Sequence, residues 1–138
     1  MRIFLDANIL VSILNKEYPL FTYTARILSL ADNKAFTVWT SPICLAIAFY
    51  FAEKKSGTQM AKIKIEILAG KICISEVGNN EVLQALQNKE VNDFEDGLEY
   101  YSALASKCDA IITEDISDFY FFSTPVFNSR AFAERHLR

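Results

Sequence analysis

Short apolar runs, each followed by a segment with helical periodicity, recur along this chain of 138 residues. The first run, at 2–5, stands at the very start, where no helix can precede it, and it indicates a buried strand. Four further runs follow at 36–40, 71–75, 109–113 and 125–127. Strands that alternate with helices favour right-handed crossovers and a parallel sheet covered on both faces. We therefore predict a three-layer α/β/α fold with a central parallel sheet of about five strands.

The segments between these runs predict seven helices. Pro19 and Pro42 suit the start of the second and third helices, because a missing N–H has no consequence in the first turn. The predicted helices lie at 7–15, 19–33, 42–55, 58–69, 80–87, 93–107 and 129–137. With only three prolines and four glycines, no linker divides the chain. We expect residues 1–138 to form a single domain.

Charge and apolar content limit the possible partners. A net charge of -3 argues against a protein that holds nucleic acid by bulk charge, although a local basic patch remains compatible. The densest basic cluster is Lys54, Lys55, Lys62 and Lys64, which fits either solvated helix faces or phosphate contacts. No apolar stretch reaches the ~20 residues that span a membrane, and no signal-peptide pattern opens the chain. We expect a cytoplasmic protein without a membrane partner.

Three cysteines, Cys44, Cys73 and Cys108, are present, and none belongs to a CxxC pair. No histidine lies near any of them. We interpret all three as buried thiols in a reducing compartment.

Carboxylates stand at the predicted strand ends, where parallel sheets bind ligands. Asp6 closes the first strand, and Asp115 follows the fourth. Asp96 lies in the first turn of the helix that leads into the fourth strand. Three carboxylates near one point repel one another, and a divalent cation such as Mg²⁺ or Mn²⁺ removes that repulsion. Such an ion can activate a water and stabilise charge on a phosphate.

Around these acids the sequence resembles the PIN domain family. The stretch 3–10 (IFLDANIL) is similar to the family's first motif, in which an Asn, here Asn8, supports the first metal-binding acid. The stretch 92–103 resembles the helix that carries a later acid, placed on Asp96. The stretch 110–119 resembles the final motif, with Asp115 as its acid. The resemblance covers the whole chain and implies a small bacterial toxin-like ribonuclease that uses Mg²⁺ or Mn²⁺.

One position departs from the family's pattern. The resemblance implies a Glu in the helix after the second strand, but Ile47 stands there. The next carboxylate, Glu53, lies six residues on, about 9 Å along the helix axis and on another face. The loss puts metal affinity, and with it catalysis, in doubt.

Several site residues have a second interpretation. Asp6 could serve only as a helix cap. Asp93 stands three residues before Asp96, which is capping-box spacing, so we assign Asp93 to capping and Asp96 to the metal. Asp118 is expected to order the turn or to support the metal ligands indirectly. Thr113 could face a phosphate or merely end its strand.

Three functions remain to be distinguished. The first is a Mg²⁺- or Mn²⁺-dependent endoribonuclease, with Asp6, Asp96 and Asp115 as metal ligands, an RNA substrate and a small antitoxin protein as partner. The second is a PIN-fold module that binds RNA or protein without cleavage. The third is a phosphoacceptor domain with a flavodoxin-like sheet, but that class needs a Lys after the fifth strand, and Asn128-Ser129-Arg130 stands there. Large apolar side chains at 42–52 and 120–122 favour a homodimer.

Overall fold

The computed structural model describes residues 1–137, which form a five-stranded sheet packed between helices. Every strand pair is parallel, and the strand order is β3-β2-β1-β4-β5. The strands are β1 (Arg2–Leu5), β2 (Thr37–Thr40), β3 (Cys73–Ile74), β4 (Ala110–Ile112) and β5 (Val126–Phe127). This confirms the predicted three-layer α/β/α class. The strand order differs from the 2-1-3-4-5 order of flavodoxin-like domains. The fold is therefore not that of a flavodoxin-like phosphoacceptor domain.

Strand β1 occupies the middle of the sheet because its side chains are apolar on both faces. Ile3, Phe4 and Leu5 are all completely buried, as expected for a strand covered by helices on both sides. In the register, Phe4 lies between Trp39 of β2 and Ile111 of β4. The residue after Leu5 therefore emerges at the same sheet edge as the residues that follow β4.

Seven α-helices connect or flank these strands within residues 1–137. They are α1 (Ala7–Asn15), α2 (Phe21–Leu28), α3 (Pro42–Ser56), α4 (Thr58–Lys71), α5 (Asn79–Gln87), α6 (Phe94–Ala105) and α7 (Ser129–His136). Side chains cap four of them as the sequence chemistry requires: Asp6 caps α1, Ser41 caps α3, Asp93 caps α6 and Asn128 caps α7. Pro42 occupies the first turn of α3. Among these residues, no helix combines the length and apolar character needed to cross a bilayer.

Close packing fixes the position of α6 at its start. A Cβ on Gly97 would lie 2.7 Å from Val91 Cγ1 and 3.0 Å from Ala85 Cβ. An added methyl group would force one of these neighbours to shift. The close contact packs the part of α6 that carries Asp96 and Glu99 against α5.

The structure corrects three sequence predictions. The second helix begins at Phe21 rather than Pro19, because the chain turns through residues 18–20 first, and its last part is a 3₁₀ turn, Ser29–Asp32. Strand β3 has only two residues, since it pairs with β2 alone. Cys73 lies on this edge strand and is exposed, so the prediction of three buried thiols is wrong for it; Cys44 and Cys108 are buried.

Candidate metal centre

Asp6 and Asp115 meet at the carboxyl edge of the sheet because β1 and β4 are adjacent. The Asp6 amide donates to the Ile112 carbonyl at 3.0 Å, which keeps the two strand ends in step. The Asp6 side chain is 7% exposed, and its Oδ1 accepts from the Ala7 amide at 2.6 Å. Asp6 therefore caps α1 through Oδ1. Its other oxygen, Oδ2, is free to contact different partners.

Asn8 and Thr113 tie the two acids together. Thr113 Oγ1 donates to Asp6 Oδ2 at 2.7 Å. Asn8 Nδ2 lies 3.1 Å from Asp115 Oδ2, 3.1 Å from Thr113 Oγ1 and 3.4 Å from Asp6 Oδ2. Its Oδ1 accepts from the Glu114 amide at 3.1 Å. This network orients both carboxylates, so Asn8 and Thr113 hold the positions expected of supporting residues.

The neighbours of Asp115 take different directions. Glu114 accepts from both the amide and the hydroxyl of Ser129, at the start of α7, which turns its carboxylate toward that helix. Asp118 donates its backbone amide to the Asp115 carbonyl at 3.0 Å and also lines the cleft at the sheet edge. Glu114 is therefore directed toward α7, whereas Asp115 and Asp118 line the cleft.

Helix α6 brings further acids to the same place. Asp93 accepts from the Asp96 amide at 3.1 Å, which agrees with its assignment as the cap. Asp96 lies in the first turn of the helix. Partial burial, followed by the charges of Asp93, Asp118 and Asp6, raises the pKa of Asp96 to about 7. The Asp96 carboxylate is therefore within electrostatic reach of Asp6 and Asp118.

One cleft of about 460 Å³ collects all these side chains. Its acidic lining residues are Asp6, Glu17, Asp93, Glu95, Asp96, Glu99, Asp115 and Asp118. Among residues 1–137, no Lys or Arg lines it. Such an accumulation of negative charge without a compensating cation disfavours the folded state unless protons or metal ions bind.

Two residues whose ligand atoms lie next to Asp6 were not predicted as part of the site. Glu99 on α6 is only 2% exposed, and Cys44 on α3 is completely buried. The three side chains whose ligand atoms lie within 4.8 Å of one another are Asp6, Cys44 and Glu99, rather than the predicted trio of Asp6, Asp96 and Asp115. Helical spacing could have indicated Glu99 as a site residue. Glu99 follows Asp96 by three residues and therefore lies on the same face of α6.

The environment of this inner group is strongly unfavourable to negative charge. Burial raises the pKa of Glu99 to about 11, with further contributions from the charge of Asp6 and a hydrogen bond with it. Burial, then the charges of Glu99 and Asp6, raises the pKa of the Cys44 thiol. Cys44 Sγ lies 4.0 Å from Asp6 Oδ1.

Position 47 faces this cleft, as its alignment with the family's Glu implies. Ile47 is partly buried and contributes an apolar side chain to the cleft wall. Glu53 is occupied elsewhere, since its Oε2 accepts from the Thr58 hydroxyl at 2.9 Å. Helix α3 therefore brings no carboxylate to the cleft.

The donor set fits a hard divalent cation. Carboxylate oxygens are the ligands that Mg²⁺ and Mn²⁺ prefer. Glu99 Oε2 is buried without a hydrogen-bond partner and borders the cleft. A cation in the cleft would satisfy this oxygen and offset the carboxylate repulsion.

The chain belongs to the PIN domain family, whose sequence model matches residues 2–117. It is similar to Ribonuclease VapC1 of Aquifex aeolicus (strain VF5), with 26% identity over 141 residues that cover 97% of this chain and 94% of the relative.

Solved structures share the fold at lower identity. VapBC2 from Rickettsia felis, bound to a DNA fragment from its promoter, matches with a TM-score of 0.68 and 21% identity over 93% of this chain and 98% of that one. VapBC-1 from nontypeable Haemophilus influenzae matches with a TM-score of 0.67 and 17% identity over 94% and 99%. Mycobacterium tuberculosis VapC20, a toxin that cleaves the sarcin-ricin loop, matches with a TM-score of 0.62 and 16% identity. The match covers 79% of this chain and 86% of that one.

Proposed function

We propose that residues 1–138 act as a single PIN domain that cleaves RNA phosphodiester bonds with a Mg²⁺ or Mn²⁺ ion. The observation that carries this proposal is the cleft at the carboxyl edge of the sheet, where Asp6, Asp96 and Asp115 come together without a Lys or Arg among the residues that line it. The similarity to Ribonuclease VapC1 supports the same reaction.

In this proposal Asp6, Asp96 and Asp115 are the metal ligands. The bound cation would supply an activated water and stabilise negative charge on the scissile phosphate. Asn8 and Thr113 hold Asp6 and Asp115 in fixed orientations through their hydrogen bonds. Such outer contacts raise the affinity of a metal site by preventing its ligands from rotating.

The basic residues near the end of α3 suit an RNA substrate. Lys54 and Lys55 lie in its last turn, one turn beyond Phe51, which lines the cleft. Lysines at this position could contact phosphates on either side of the scissile bond, and they would contribute affinity rather than sequence preference.

The test is cleavage of single-stranded RNAs by purified, metal-stripped protein after addition of Mg²⁺ or Mn²⁺. We expect cleavage with either ion and complete silencing by chelator. Asp32→Asn is the matched control for loss of one acid, because Asp32 is exposed in the 3₁₀ turn, away from the lining of the cleft. Cleavage that survives chelation would contradict the proposal.

A second function is favoured by one observation, the apolar side chain of Ile47 in the cleft wall. A PIN fold with a weakened metal site could bind RNA or protein without cutting. Wild-type protein that folds, binds RNA and leaves it intact at saturating Mn²⁺ would establish this alternative in place of the nuclease.

A small antitoxin protein is the proposed partner, since two of the structural neighbours are VapBC complexes. Helices α3 and α4 expose apolar side chains that a partner could cover, namely Tyr50, Phe51, Met60, Ile63 and Ile67. We propose that the pair functions in the cytoplasm. If a small reading frame lies beside this one, co-expression of the two should yield a stable complex on affinity purification; recovery of this chain alone would count against the partner.

We also propose a homodimer. Tyr120 and Ile116 on the turn after β4 are exposed and apolar, as are the side chains of α3 and α4. Exposed apolar side chains of this size are common at association surfaces. Light scattering at micromolar concentration should give twice the monomer mass of 15.7 kDa; a monomer throughout the range would exclude this assembly.

A further inference from the structure

Glu99 is the most deeply buried acid in the cleft. It lies on α6, one turn after Asp96, and is only 2% exposed. Its carboxylate approaches Asp6 and the Cys44 thiol, with the three ligand atoms within 4.8 Å of one another. Asp6 follows β1 and Glu99 lies on α6, so the fold brings them together from distant parts of the sequence.

No cationic side chain among the described residues lines the cleft beside Glu99. Its Oε2 makes no hydrogen bond although it is buried, and the cleft that it borders has no Lys or Arg in its lining. A buried, unpaired carboxylate normally destabilises a fold by several kcal/mol. Glutamine at this position would avoid the charge while filling the same volume.

The opposite wall of the cleft, formed by α3, lacks a carboxylate. Helix α3 contributes Ile47 to the cleft wall. One turn earlier, Cys44 is buried next to Asp6, so this side of α3 carries a thiol and an alkyl group but no carboxylate. Helices α3 and α6 pack against each other. A carboxylate that projects from α6 therefore reaches the space that a carboxylate at position 47 would otherwise approach.

We propose that Glu99 is a direct ligand of the divalent cation and supplies from α6 the negative charge that α3 lacks at Ile47. The inference rests on the proposed function, because it concerns the same cation. It assigns Asp6 and Glu99 to the inner part of the site, with Asp96 and Asp115 nearer its mouth. The site then has four carboxylates despite the apolar residue at position 47.

The test is calorimetric titration of Mn²⁺ into the metal-stripped full chain. Glu99→Gln keeps the shape of the side chain and its ability to hydrogen-bond Asp6, but it cannot offer an anionic oxygen. We expect Mn²⁺ affinity to fall about tenfold or more, as loss of a ligand contact commonly produces. Glu95→Gln is the matched control, since Glu95 lines the same cleft on the same helix but is exposed; its effect should stay under about threefold.

A rescue variant separates a ligand from a structural role. Ile47→Glu combined with Glu99→Gln returns a carboxylate to the cleft from α3, and we expect it to recover most of the lost affinity. Wild-type affinity in Glu99→Gln would overturn the inference and make Glu99 a hydrogen-bonding partner of Asp6 only. Absence of rescue, with both variants folded by circular dichroism, would show that the two positions do not serve the same ion and would also overturn it.

Asp6→Asn in the same titration distinguishes this inference from the proposed function. If Asp6→Asn abolishes Mn²⁺ binding while Glu99→Gln leaves it unchanged, only the role of Glu99 is wrong. If neither variant changes Mn²⁺ binding, the cation site itself is wrong, and the proposed function fails with it.

Discussion

The two edges of the parallel sheet use their acidic residues differently. At the amino edge, Asp109 accepts from the Arg2 amide at 2.8 Å, while the Arg2 guanidinium donates to the Ser106 carbonyl at 2.9 Å and lies over the Trp39 ring. At the carboxyl edge, eight acids line one cleft that no Lys or Arg borders within the described chain.

This difference separates residues that stabilise the fold from residues that folding alone does not require. An acid that caps a free amide contributes about 0.5–1.5 kcal/mol to stability. Acids that repel one another reduce stability, and the proposed cation would offset that repulsion. The comparison predicts opposite consequences when an acid is removed from each edge.

The largest expected effect is on catalysis at the carboxyl edge. Asp6→Asn should slow RNA cleavage by about a hundredfold or more, because one electrostatic stabiliser is lost. Its melting temperature should hold or rise, since Asn can still cap α1 and the repulsion is relieved. Cleavage kinetics and thermal melting on the same preparation check both statements.

At the amino edge, Asp109→Ala should affect stability rather than catalysis. It leaves the Arg2 amide without its acceptor, so the protein should be destabilised by about 1 kcal/mol while cleavage per folded molecule stays unchanged. If Asp6→Asn destabilised the protein and Asp109→Ala abolished cleavage, the contrast between the edges would be wrong.

A smaller effect is expected from the hydrogen bonds that orient the ligands. Thr113→Val keeps the buried volume but removes the 2.7 Å hydrogen bond to Asp6. Cleavage should slow by about tenfold, as loss of an outer-shell partner commonly does. Thr113→Ser retains the hydroxyl and should cleave at nearly the wild-type rate; equal loss in both variants would attribute the effect to packing.

A substitution at position 47 should improve the metal site rather than weaken it. Ile47→Glu adds a hard anionic ligand to the cleft wall and should tighten Mn²⁺ binding. Because Glu99 already supplies a carboxylate, we expect a gain of only a few-fold in the wild-type background, measured by calorimetry. Equal or weaker binding would mean that the added side chain does not reach the ion.

A separate effect, on stability rather than on activity, is the pH dependence of unfolding without metal. The pKa values of Asp96 and Glu99 are raised to about 7 and about 11, so the folded state retains protons that the unfolded chain releases above about pH 4–5. Stability in chelator should therefore fall as pH rises, through about pH 7 for Asp96 and beyond it for Glu99. Thermal melting should show a shallower fall for Glu99→Gln; identical slopes would contradict the assignment.

Much of the fold could be predicted because β1 and β4 are short apolar runs whose burial on both faces leaves few alternatives. Strand β3 was predicted too long, since its pairing depends on a single neighbour and not on its own composition. The strand-end positions of Asp6 and Asp115 followed from the parallel topology, and the structure places both in one cleft. Their metal-binding role stays a prediction.

The sequence pattern alone could not show that Glu99 and Cys44 lie next to Asp6. A glutamate in the second turn of a helix is usually solvated, and a cysteine among apolar residues is usually core. What buries Glu99 is the packing of α6 against α3, and the close approach at Gly97 helps to fix it. Helical spacing placed Glu99 on the face of Asp96, but only tertiary structure shows what that face contacts.

The most direct test of the central claim is the anomalous difference map of crystals soaked in Mn²⁺. We predict a peak in the cleft at the carboxyl edge of the sheet, within coordination distance of Asp6 and Glu99, with Asp96 and Asp115 bound directly or through water. A protein that cleaves RNA with Mn²⁺ while its crystals show no peak in this cleft at saturating Mn²⁺ would contradict the claim.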